Sequence, residues 1–239
     1  MSYKVVTITN KRPDAWYYLF DEFFISLGKE EPLVLKPTIW NGLSTKPKVL
    51  YQAIIQKMVD TKYIIFADCW DVVFAAEPKE IMERYLSFNS PIVISCEKNC
   101  FPADLKDDFD KLNPRTPYKY LNSGFIVGET EAILTCLEAM DLPNLPDDHY
   151  DPLKQCAVHP NDQFEWMKIF VKQPVHIKLD YYQLLSQTLH GEDINNFDFS
   201  QSRIRNKTTN TCPCAFHFNG ASKDNMALRE PILKHLKLT

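Results

Sequence analysis

The fold is indicated most clearly by one stretch of the chain, Tyr63-Ile64-Ile65-Phe66-Ala67-Asp68-Cys69-Trp70-Asp71. Five apolar, β-prone residues stop abruptly at two carboxylates with a tryptophan between them. A buried strand that ends at Asp68 would place both acids at its carboxyl end, where open α/β sheets bind ligands. Two carboxylates there suit Mg²⁺ or Mn²⁺, with phosphate oxygens completing the coordination shell. The same spacing is also typical of a solvated turn, so the pattern alone leaves both interpretations open.

Strand-like and helix-like segments alternate outward from this stretch. This alternation predicts an α/β fold with a central, mostly parallel sheet flanked by helices. The predicted strands cover residues 5–9, 33–35, 63–67, 91–95 and 124–128. The predicted helices cover residues 16–26, 46–60, 78–88, 129–140, 162–170 and 231–236. Long polar stretches at 98–118 and 141–161 are predicted to be functional loops. Because no linker or repeat interrupts the pattern, residues 1–239 are predicted to form a single domain.

Composition excludes several classes of protein. A net charge of −4 argues against a nucleic-acid binder, which would need a basic surface. No apolar run approaches the ~18 residues of a membrane span. The first residues have no basic region followed by an apolar one, so we expect no signal peptide and a cytoplasmic location. An excised domain of a lumenal protein would look the same, and would belong in the ER lumen.

The cysteines and glycines limit which metal-binding and phosphate-binding motifs the chain can contain. Seven cysteines are scattered along the chain, and an odd number is not a disulfide framework. Cys212-Pro213-Cys214 with His217 suggests zinc, but the C-x-C spacing is shorter than structural zinc sites use. With only six glycines, the chain has neither a G-x-G-x-x-G nor a Walker A loop. Any bound phosphate would therefore need a metal ion and side chains.

Five segments, in this order, resemble the glycosyltransferase domain of the procollagen lysyl hydroxylases and, more loosely, retaining GT-A glycosyltransferases related to glycogenin. The similarity extends over nearly the whole chain. Each segment is short, and their order and spacing carry the resemblance. They are Phe66-Ala67-Asp68-x-x-Asp71-Val72-x-Phe74-Ala75, Tyr120-Leu121-x-Ser123-Gly124, Asp162-Gln163, Gln187-Thr188-Leu189 and His217-x-Asn219-Gly220.

The resemblance implies a GT-A, Rossmann-like fold and a specific reaction. It implies a Mn²⁺-dependent, retaining transfer of glucose or galactose from a UDP-sugar to an acceptor hydroxyl. The implied acceptor is hydroxylysine or galactosyl-hydroxylysine of a collagen-like protein, or a related glycoside. The iron-dependent hydroxylase half of those proteins has no counterpart in this sequence.

The resemblance also assigns roles to residues. Those implied to hold Mn²⁺ are Asp68, Asp71 and His217. Trp70 falls beside the uracil, and the other residues assigned to the nucleotide are Trp40, Lys48 and Thr7. The diphosphate is assigned to Asn219, Gly220 and Lys223. The catalytic and sugar-binding set is Asn122, Asp162, Gln163 and the neighbouring Asn161.

One departure concerns Asn161, since the family has two adjacent acids before its glutamine. If both acids were needed, the chain would be slow or mainly a binder of sugar nucleotide or collagen. If the second is the important one, Asp162 preserves transfer.

A second alternative is a haloacid-dehalogenase-type phosphohydrolase, which also places an acid after an apolar strand. Its two acids are normally one residue apart and close to the start of the chain. Asp68 and Asp71 have neither property.

The remaining histidines and a group of acids have simpler interpretations. His149, His159, His176, His190 and His235 are expected to be structural or surface residues. Four acids are expected to form a solvated face, or else to attract a basic, collagen-like acceptor. They are Asp104, Asp107, Asp108 and Asp110.

Overall fold

The computed structural model describes residues 2–9, 18–145, 149–151, 156–158 and 161–238. The strands are β1 Tyr3–Ile8, β2 Leu33–Leu35, β3 Tyr63–Ala67, β4 Val72–Phe74, β5 Ile92–Glu97, β6 Tyr120–Glu129, β7 His149–Asp151, β8 Cys156–Val158, β9 Ile177–Asp180, β10 Ser186–Thr188, β11 Phe197–Asp198, β12 Arg205–Asn206 and β13 Ala215–His217. The α-helices are α1 Phe20–Ser26, α2 Thr45–Ile55, α3 Pro78–Ser87, α4 Lys106–Asp110, α5 Thr130–Glu138, α6 Asp162–Lys172 and α7 Met226–His235.

The main sheet has six strands in the order β2-β1-β3-β6-β5-β9. Within it β6 pairs antiparallel with both neighbours, and every other pairing is parallel. The central strands β1 and β3 pair in register from Tyr3 with Tyr63 to Val6 with Phe66. The prediction of a mostly parallel α/β sheet is therefore confirmed, and the antiparallel β6 makes it a mixed sheet.

A three-stranded small sheet, ordered β10-β13-β4, lies beside the main sheet. Its strand β4 follows β3 after only four residues, so the chain passes from one sheet to the other within the stretch Asp68–Asp71. Two further antiparallel pairs are β11-β12 and β7-β8. None of the three small-sheet strands was among those predicted, and segments this short carry little periodicity.

Apolar residues on the two faces of the main sheet form separate cores. Alternate residues of β3 point to opposite faces, so that Ile64 and Phe66 pack on one side and Tyr63 and Ile65 on the other. Helices α2, α5 and α6 contribute to the first core, and α1 and α3 to the second. A third cluster joins the small sheet to α7. Among the described residues, no helix is long and apolar enough to cross a membrane.

Element boundaries differ from the predictions where backbone geometry overrides pattern. Helix α2 ends at Ile55 rather than at residue 60, since Lys57 adopts φ +57°, a left-handed conformation that terminates helices. Strand β6 begins at Tyr120, four residues earlier than predicted, because its polar first half pairs with β5. Residues 98–118 contain the short helix α4. The predicted helix start at 16 and much of the predicted loop 141–161 lie outside the described residues, as does His159.

Candidate active site

Asp68 and Asp71 lie in the turn between β3 and β4, at the carboxyl end of β3. The backbone N–H of Asp68 donates to the carbonyl of Gly124 over 3.0 Å. The N–H of Val72 donates to the carbonyl of Asp68 over 3.1 Å, which closes the turn. These two bonds fix the backbone that carries both carboxylates at the edge of the main sheet.

His217 reaches the two acids because β13 pairs antiparallel with β4. In this register His217 lies opposite Val72, and the N–H of Phe218 donates to the carbonyl of Asp71 over 2.7 Å. Nε2 of His217 is 3.3 Å from Oδ1 of Asp71. One ligand atom from each of Asp68, Asp71 and His217 lies within 4.8 Å of the others. Strand pairing thus brings together residues about 150 positions apart in sequence.

This triad is the only group of three or more His, Cys, Asp or Glu side chains close enough to share a metal in the part of the chain that the structure describes. Neither Cys212 nor Cys214 belongs to it, so the zinc interpretation has no support there. Nδ1 of His217 is buried and has no hydrogen-bond partner among the described residues. Nε2, the ring nitrogen that faces Asp71, is the one placed to bind a cation shared with the carboxylates. Two carboxylates and an imidazole suit a divalent ion.

Gly124, on β6, leaves the space that the ring of His217 occupies. A Cβ at this position would be 2.2 Å from Cε1 of His217, well inside contact distance. The close approach, rather than backbone conformation, therefore requires glycine here.

Lys46, at the start of α2, joins the triad to a third acid. Its Nζ lies 2.8 Å from Oδ2 of Asp68 and 3.1 Å from Oδ2 of Asp162. Burial alone would lower the pKa of Lys46, but the two carboxylates outweigh it and raise that pKa above its ordinary value. Burial raises the pKa of Asp68, although Lys46 opposes the effect.

Lys223 pairs with Asp71 as Lys46 pairs with Asp68. Its Nζ is 2.9 Å from Oδ2 of Asp71. Burial would raise the pKa of Asp71, but His217 and Lys223 outweigh it and hold that pKa well below its usual range. Asp71 is consequently a carboxylate ready to bind a cation.

The first residues of α6 face the same cavity. Ser123 donates from Oγ to Oδ2 of Asp162 over 2.8 Å, and its N–H donates to Oε1 of Gln163 over 3.3 Å. Asn161 caps the helix, because its Oδ1 accepts from the N–H of Phe164 over 2.8 Å. Its Nδ2 is buried without a partner among the described residues.

Glu97 holds three predicted site residues together. Its Oε1 accepts from Asn122 and from Gln163, each over 3.0 Å, and its Oε2 accepts from Asn219 over 3.0 Å. Burial raises the pKa of Glu97, while these amide donors oppose the shift. Glu97 and Lys46 were not among the residues predicted from the sequence. A carboxylate at the end of the predicted strand 91–95 was the available signal for Glu97.

Two tryptophans form an aromatic wall beside the triad. The rings of Trp40 and Trp70 stack with centroids 6.0 Å apart and an interplanar angle of 30°. Nε1 of Trp70 donates to Oγ1 of Thr9 over 2.9 Å, which fixes the ring. The ring of Tyr18 lies 5.2 Å from that of Trp70. A small cavity of about 90 Å³ is lined by both tryptophans and by Asp68 and Asp71.

Two residues assigned to the nucleotide lie away from the cavity walls. Thr7 is buried in β1, where its Oγ1 donates to the carbonyl of Ala67 over 2.7 Å, so that it supports the turn after β3. Lys48 faces a separate surface groove together with Lys36. Lys46, two residues earlier, is the lysine of α2 that enters the site.

A large cavity of about 580 Å³ brings most of the predicted residues together. Carboxylates, amides and lysines converge in it, as in an enzyme site that binds a charged ligand. Ten predicted residues line it: Asp68, Asp71, Asn122, Asn161, Asp162, Gln163, His217, Asn219, Gly220 and Lys223.

Comparison with known proteins identifies the family. A family model described as the PLOD GT (glycosyltransferase) domain matches residues 38–230. The chain is 28% identical over 170 residues to procollagen-lysine,2-oxoglutarate 5-dioxygenase of Drosophila melanogaster, covering 67% of this chain and 21% of that protein. It is 26% identical over 168 residues to the human multifunctional procollagen lysine hydroxylase and glycosyltransferase LH3, with the same coverage. The match thus spans about a fifth of the length of these relatives.

A solved structure shows the same fold. The glycosyltransferase involved in glycosylation of the major capsid of PBCV-1 superimposes with a TM-score of 0.54 at 13% identity, over 99% of both chains. The family model covers far more than half of the sequence, and the structural neighbour shares the fold over nearly all of both chains. The chain is therefore a GT-A glycosyltransferase domain that belongs to the PLOD GT family.

Proposed function

We propose that residues 1–239 form a single domain that transfers glucose or galactose from a UDP-sugar to an acceptor hydroxyl, in a Mn²⁺-dependent, retaining reaction. The observation that carries the proposal is the triad of Asp68, Asp71 and His217, which lines the large cavity. A divalent ion bound there would offset the charge that develops on the departing diphosphate.

The aromatic wall supports a nucleotide at this position. Trp40 and Trp70 line the small cavity next to the triad, and stacking of a base on such a ring is worth ~1–3 kcal/mol. We assign the uracil to this wall. The diphosphate would then lie towards Asp71 and Lys223, which line both cavities.

The opposite wall supports the sugar. Asn122 and Gln163 are fixed by Glu97, and the carboxylate of Asp162 is fixed by Ser123 and Lys46. Groups held in this way can bind sugar hydroxyls without losing further side-chain freedom. In a retaining transfer the leaving phosphate can itself accept the proton of the acceptor hydroxyl, so that no second acid beside Asp162 is required.

The acceptor proposal, hydroxylysine or galactosyl-hydroxylysine of a collagen-like chain, rests on the family. A collagen-like acceptor would favour the ER lumen over the cytoplasm as the compartment of the reaction. The acidic face contributes less support, because Asp108 pairs with Lys111 and Asp110 pairs with Lys106 and Lys119. These lysines offset much of the charge that would attract a basic chain.

The second candidate function is binding of the sugar nucleotide without transfer. The observation that favours it is Asn161, which caps α6 in the place where the family has an additional acid. Turnover with any donor and acceptor pair would exclude this candidate. Membership of a glycosyltransferase family leaves the phosphohydrolase hypothesis without support.

Thermal unfolding with UDP and Mn²⁺ tests the proposed site. UDP at 100 times its Kd adds ~2.7 kcal/mol, which raises Tm by roughly 5–10 °C in a chain of this size. We expect this shift only when UDP and Mn²⁺ are both present, and we expect EDTA to abolish it. A shift with UDP that survives EDTA would contradict the metal assignment.

Two variants sharpen the test. Asp71→Asn keeps the shape of the side chain and removes the charge, so we expect it to lose the combined shift. Asp108→Asn, a matched change on the exposed helix α4, should keep the full shift. Release of UDP from UDP-glucose or UDP-galactose then tests transfer. An Asp71→Asn variant that turns over like the wild type would refute the proposal.

A further inference from the structure

His190, which sequence analysis treated as structural, lines the large cavity. It lies in the turn that follows β10, beside Asn219 and Gly220. The N–H of Ala221 donates to Nδ1 of His190 over 3.1 Å. Because Nδ1 accepts this bond, the neutral imidazole carries its hydrogen on Nε2. Among the described residues no group accepts a hydrogen bond from Nε2, so this donor remains available to a ligand.

The ring is held in place by Gly220. A Cβ at Gly220, where φ is +56°, would lie 2.5 Å from Nδ1 of His190. The imidazole therefore packs directly on the backbone of the turn that carries Asn219 and Lys223. The position of Nε2 relative to these residues is fixed by that contact.

The backbone of the His190 turn is anchored as well. Oδ1 of Asn219 accepts from the N–H groups of Leu189 and His190, over 3.0 and 2.9 Å. Gly191 supplies the positive φ of +77° that the turn requires. A donor held this firmly loses little entropy when it binds a ligand.

Glu192 secures the far end of the same turn. Its carboxylate accepts from the hydroxyl of Tyr118 over 2.6 Å and from Asn196 over 3.0 Å, and it pairs with Lys98 over 2.8 Å. The side chain of Glu192 is fully buried. A network of buried polar contacts thus stabilises this turn. His190 is the one residue of the turn whose side chain lines the cavity.

We propose that Nε2–H of His190 donates to an oxygen of the terminal phosphate of a bound nucleoside diphosphate, and that His190 thereby makes the site prefer diphosphates to monophosphates. This inference rests on the proposed function. The location supports a phosphate rather than the sugar, because His190 lies on the wall formed by Gly220 and Lys223. The sugar-facing residues Asp162 and Gln163 lie on the wall formed by α6.

Calorimetric titration with UDP and with UMP, each in the presence of Mn²⁺, tests the proposal. His190→Phe keeps a planar ring on Gly220 and removes both nitrogens. We expect it to weaken UDP binding about 10- to 100-fold, as befits a hydrogen bond to a charged group, and to change UMP binding less than about 2-fold. His190→Asn, which can both accept from Ala221 and donate to the ligand, should bind UDP more tightly than His190→Phe.

Controls separate this inference from the proposed function. His176→Phe makes the same change at an exposed position outside the cavity and should leave both affinities unchanged. Equal losses for UDP and UMP in His190→Phe, or no loss for either, would overturn the inference alone. Loss of affinity for a UDP-sugar with unchanged affinity for UDP would place His190 at the sugar and overturn it too. A wild-type protein that binds neither nucleotide overturns the proposed function and the inference with it.

A measurement on the wild type covers the case in which the variants do not fold. Nitrogen-15 spectra of the histidine side chains report which ring nitrogen carries hydrogen. We expect His190 to be protonated at Nε2, with a resonance that moves on addition of UDP with Mn²⁺ and stays in place with UMP. A His190 ring that carries its hydrogen on Nδ1 would contradict the hydrogen bond on which the inference depends.

Discussion

At the scale of single residues, the metal triad depends on the absence of a side chain at Gly124. Gly124 has no Cβ, and the ring of His217 fills the space where one would be, 2.2 Å from its Cε1. We expect Gly124→Ala to displace His217 from Asp71 and to weaken Mn²⁺-dependent UDP binding at least tenfold. Overpacking of this kind also costs ~1–3 kcal/mol of stability. Calorimetric titration of UDP with Mn²⁺ measures the first effect, and urea unfolding the second.

Gly128→Ala is the matched control for this change. It lies on the same strand, and its Cβ would meet the carbonyl oxygen of Pro91 at 2.9 Å, away from the cavity. We expect a comparable loss of stability with unchanged nucleotide binding. If Gly124→Ala bound UDP and Mn²⁺ as tightly as the wild type, His217 could not be a ligand in the position observed.

Much of the site could be predicted from short segments of the sequence. The rest depends on contacts between segments, which the sequence does not show. Asp68, Asp71 and His217 were proposed from local patterns and from the resemblance, and strand pairing brings them together. Glu97 and Lys46 were missed because their roles appear only when three separate elements meet at one carboxylate or one ammonium group. Lys48 was assigned from the resemblance, but Lys46, two residues earlier in α2, is the lysine that lines the cavity.

At the scale of elements, the turn between β9 and β10 depends on a buried acid. Oδ1 of Asp180 accepts from the N–H of Leu184 over 2.8 Å, and Oδ2 accepts from Leu185 and Ser186 over 2.7 and 3.2 Å. Burial raises the pKa of Asp180 from 3.8 to about 6, despite these bonds. As pH rises from 3.8 to about 6, the carboxyl of Asp180 loses its proton in the unfolded chain before it does so in the folded protein. The contribution of Asp180 to the free energy of unfolding therefore falls, by at most about 3 kcal/mol.

We expect Asp180→Asn to remove this pH dependence. An amide also cannot accept all three bonds, so the variant should be destabilised by ~1–3 kcal/mol. Urea unfolding of wild type and variant across this pH window gives the difference, which should shrink as pH rises. Asp198→Asn is the control, because the bond from the N–H of Ser200 lowers the pKa of Asp198, and the stabilisation from Asp198 is therefore lost as pH falls. A wild-type-to-Asp180→Asn difference that did not vary with pH would refute the assignment.

Several elements of the main sheet and its helices were predicted with accurate bounds, whereas the strands of the small sheet were not predicted. The main-sheet strands 63–67 and 33–35 have the predicted bounds, and helix α6 begins at Asp162 as expected. The strands of the small sheet have three residues each, and their stability comes from pairing with one another. Such short segments carry little periodicity, so the strand pairing that brings His217 next to the two acids could not be derived from sequence.

At the scale of the whole molecule, the site joins two sheets. Asp68 follows β3 of the main sheet, whereas His217 ends β13 of the small sheet. A ligand that needs both residues is lost whenever the small sheet separates from the main sheet. Bound ligand should therefore make such openings rarer by the factor 1 + [L]/Kd, where [L] is the free ligand concentration. This factor is about 100 when the ligand is at 100 times its Kd. No residue of α5 lines the cavity, so fraying of this helix does not break the site and should be unaffected by the ligand.

Hydrogen exchange followed by mass spectrometry tests this coupling. With UDP and Mn²⁺ we expect amides of β4 and β13 to exchange up to about 100-fold more slowly, and the ends of α5 to exchange at their former rate. His217→Ala should abolish the change in β4 and β13, because the ligand then no longer bridges the sheets. If UDP and Mn²⁺ slowed exchange in the main sheet but left β13 unchanged, the small sheet would not take part in binding. The metal site would then have to be built from Asp68 and Asp71 without His217.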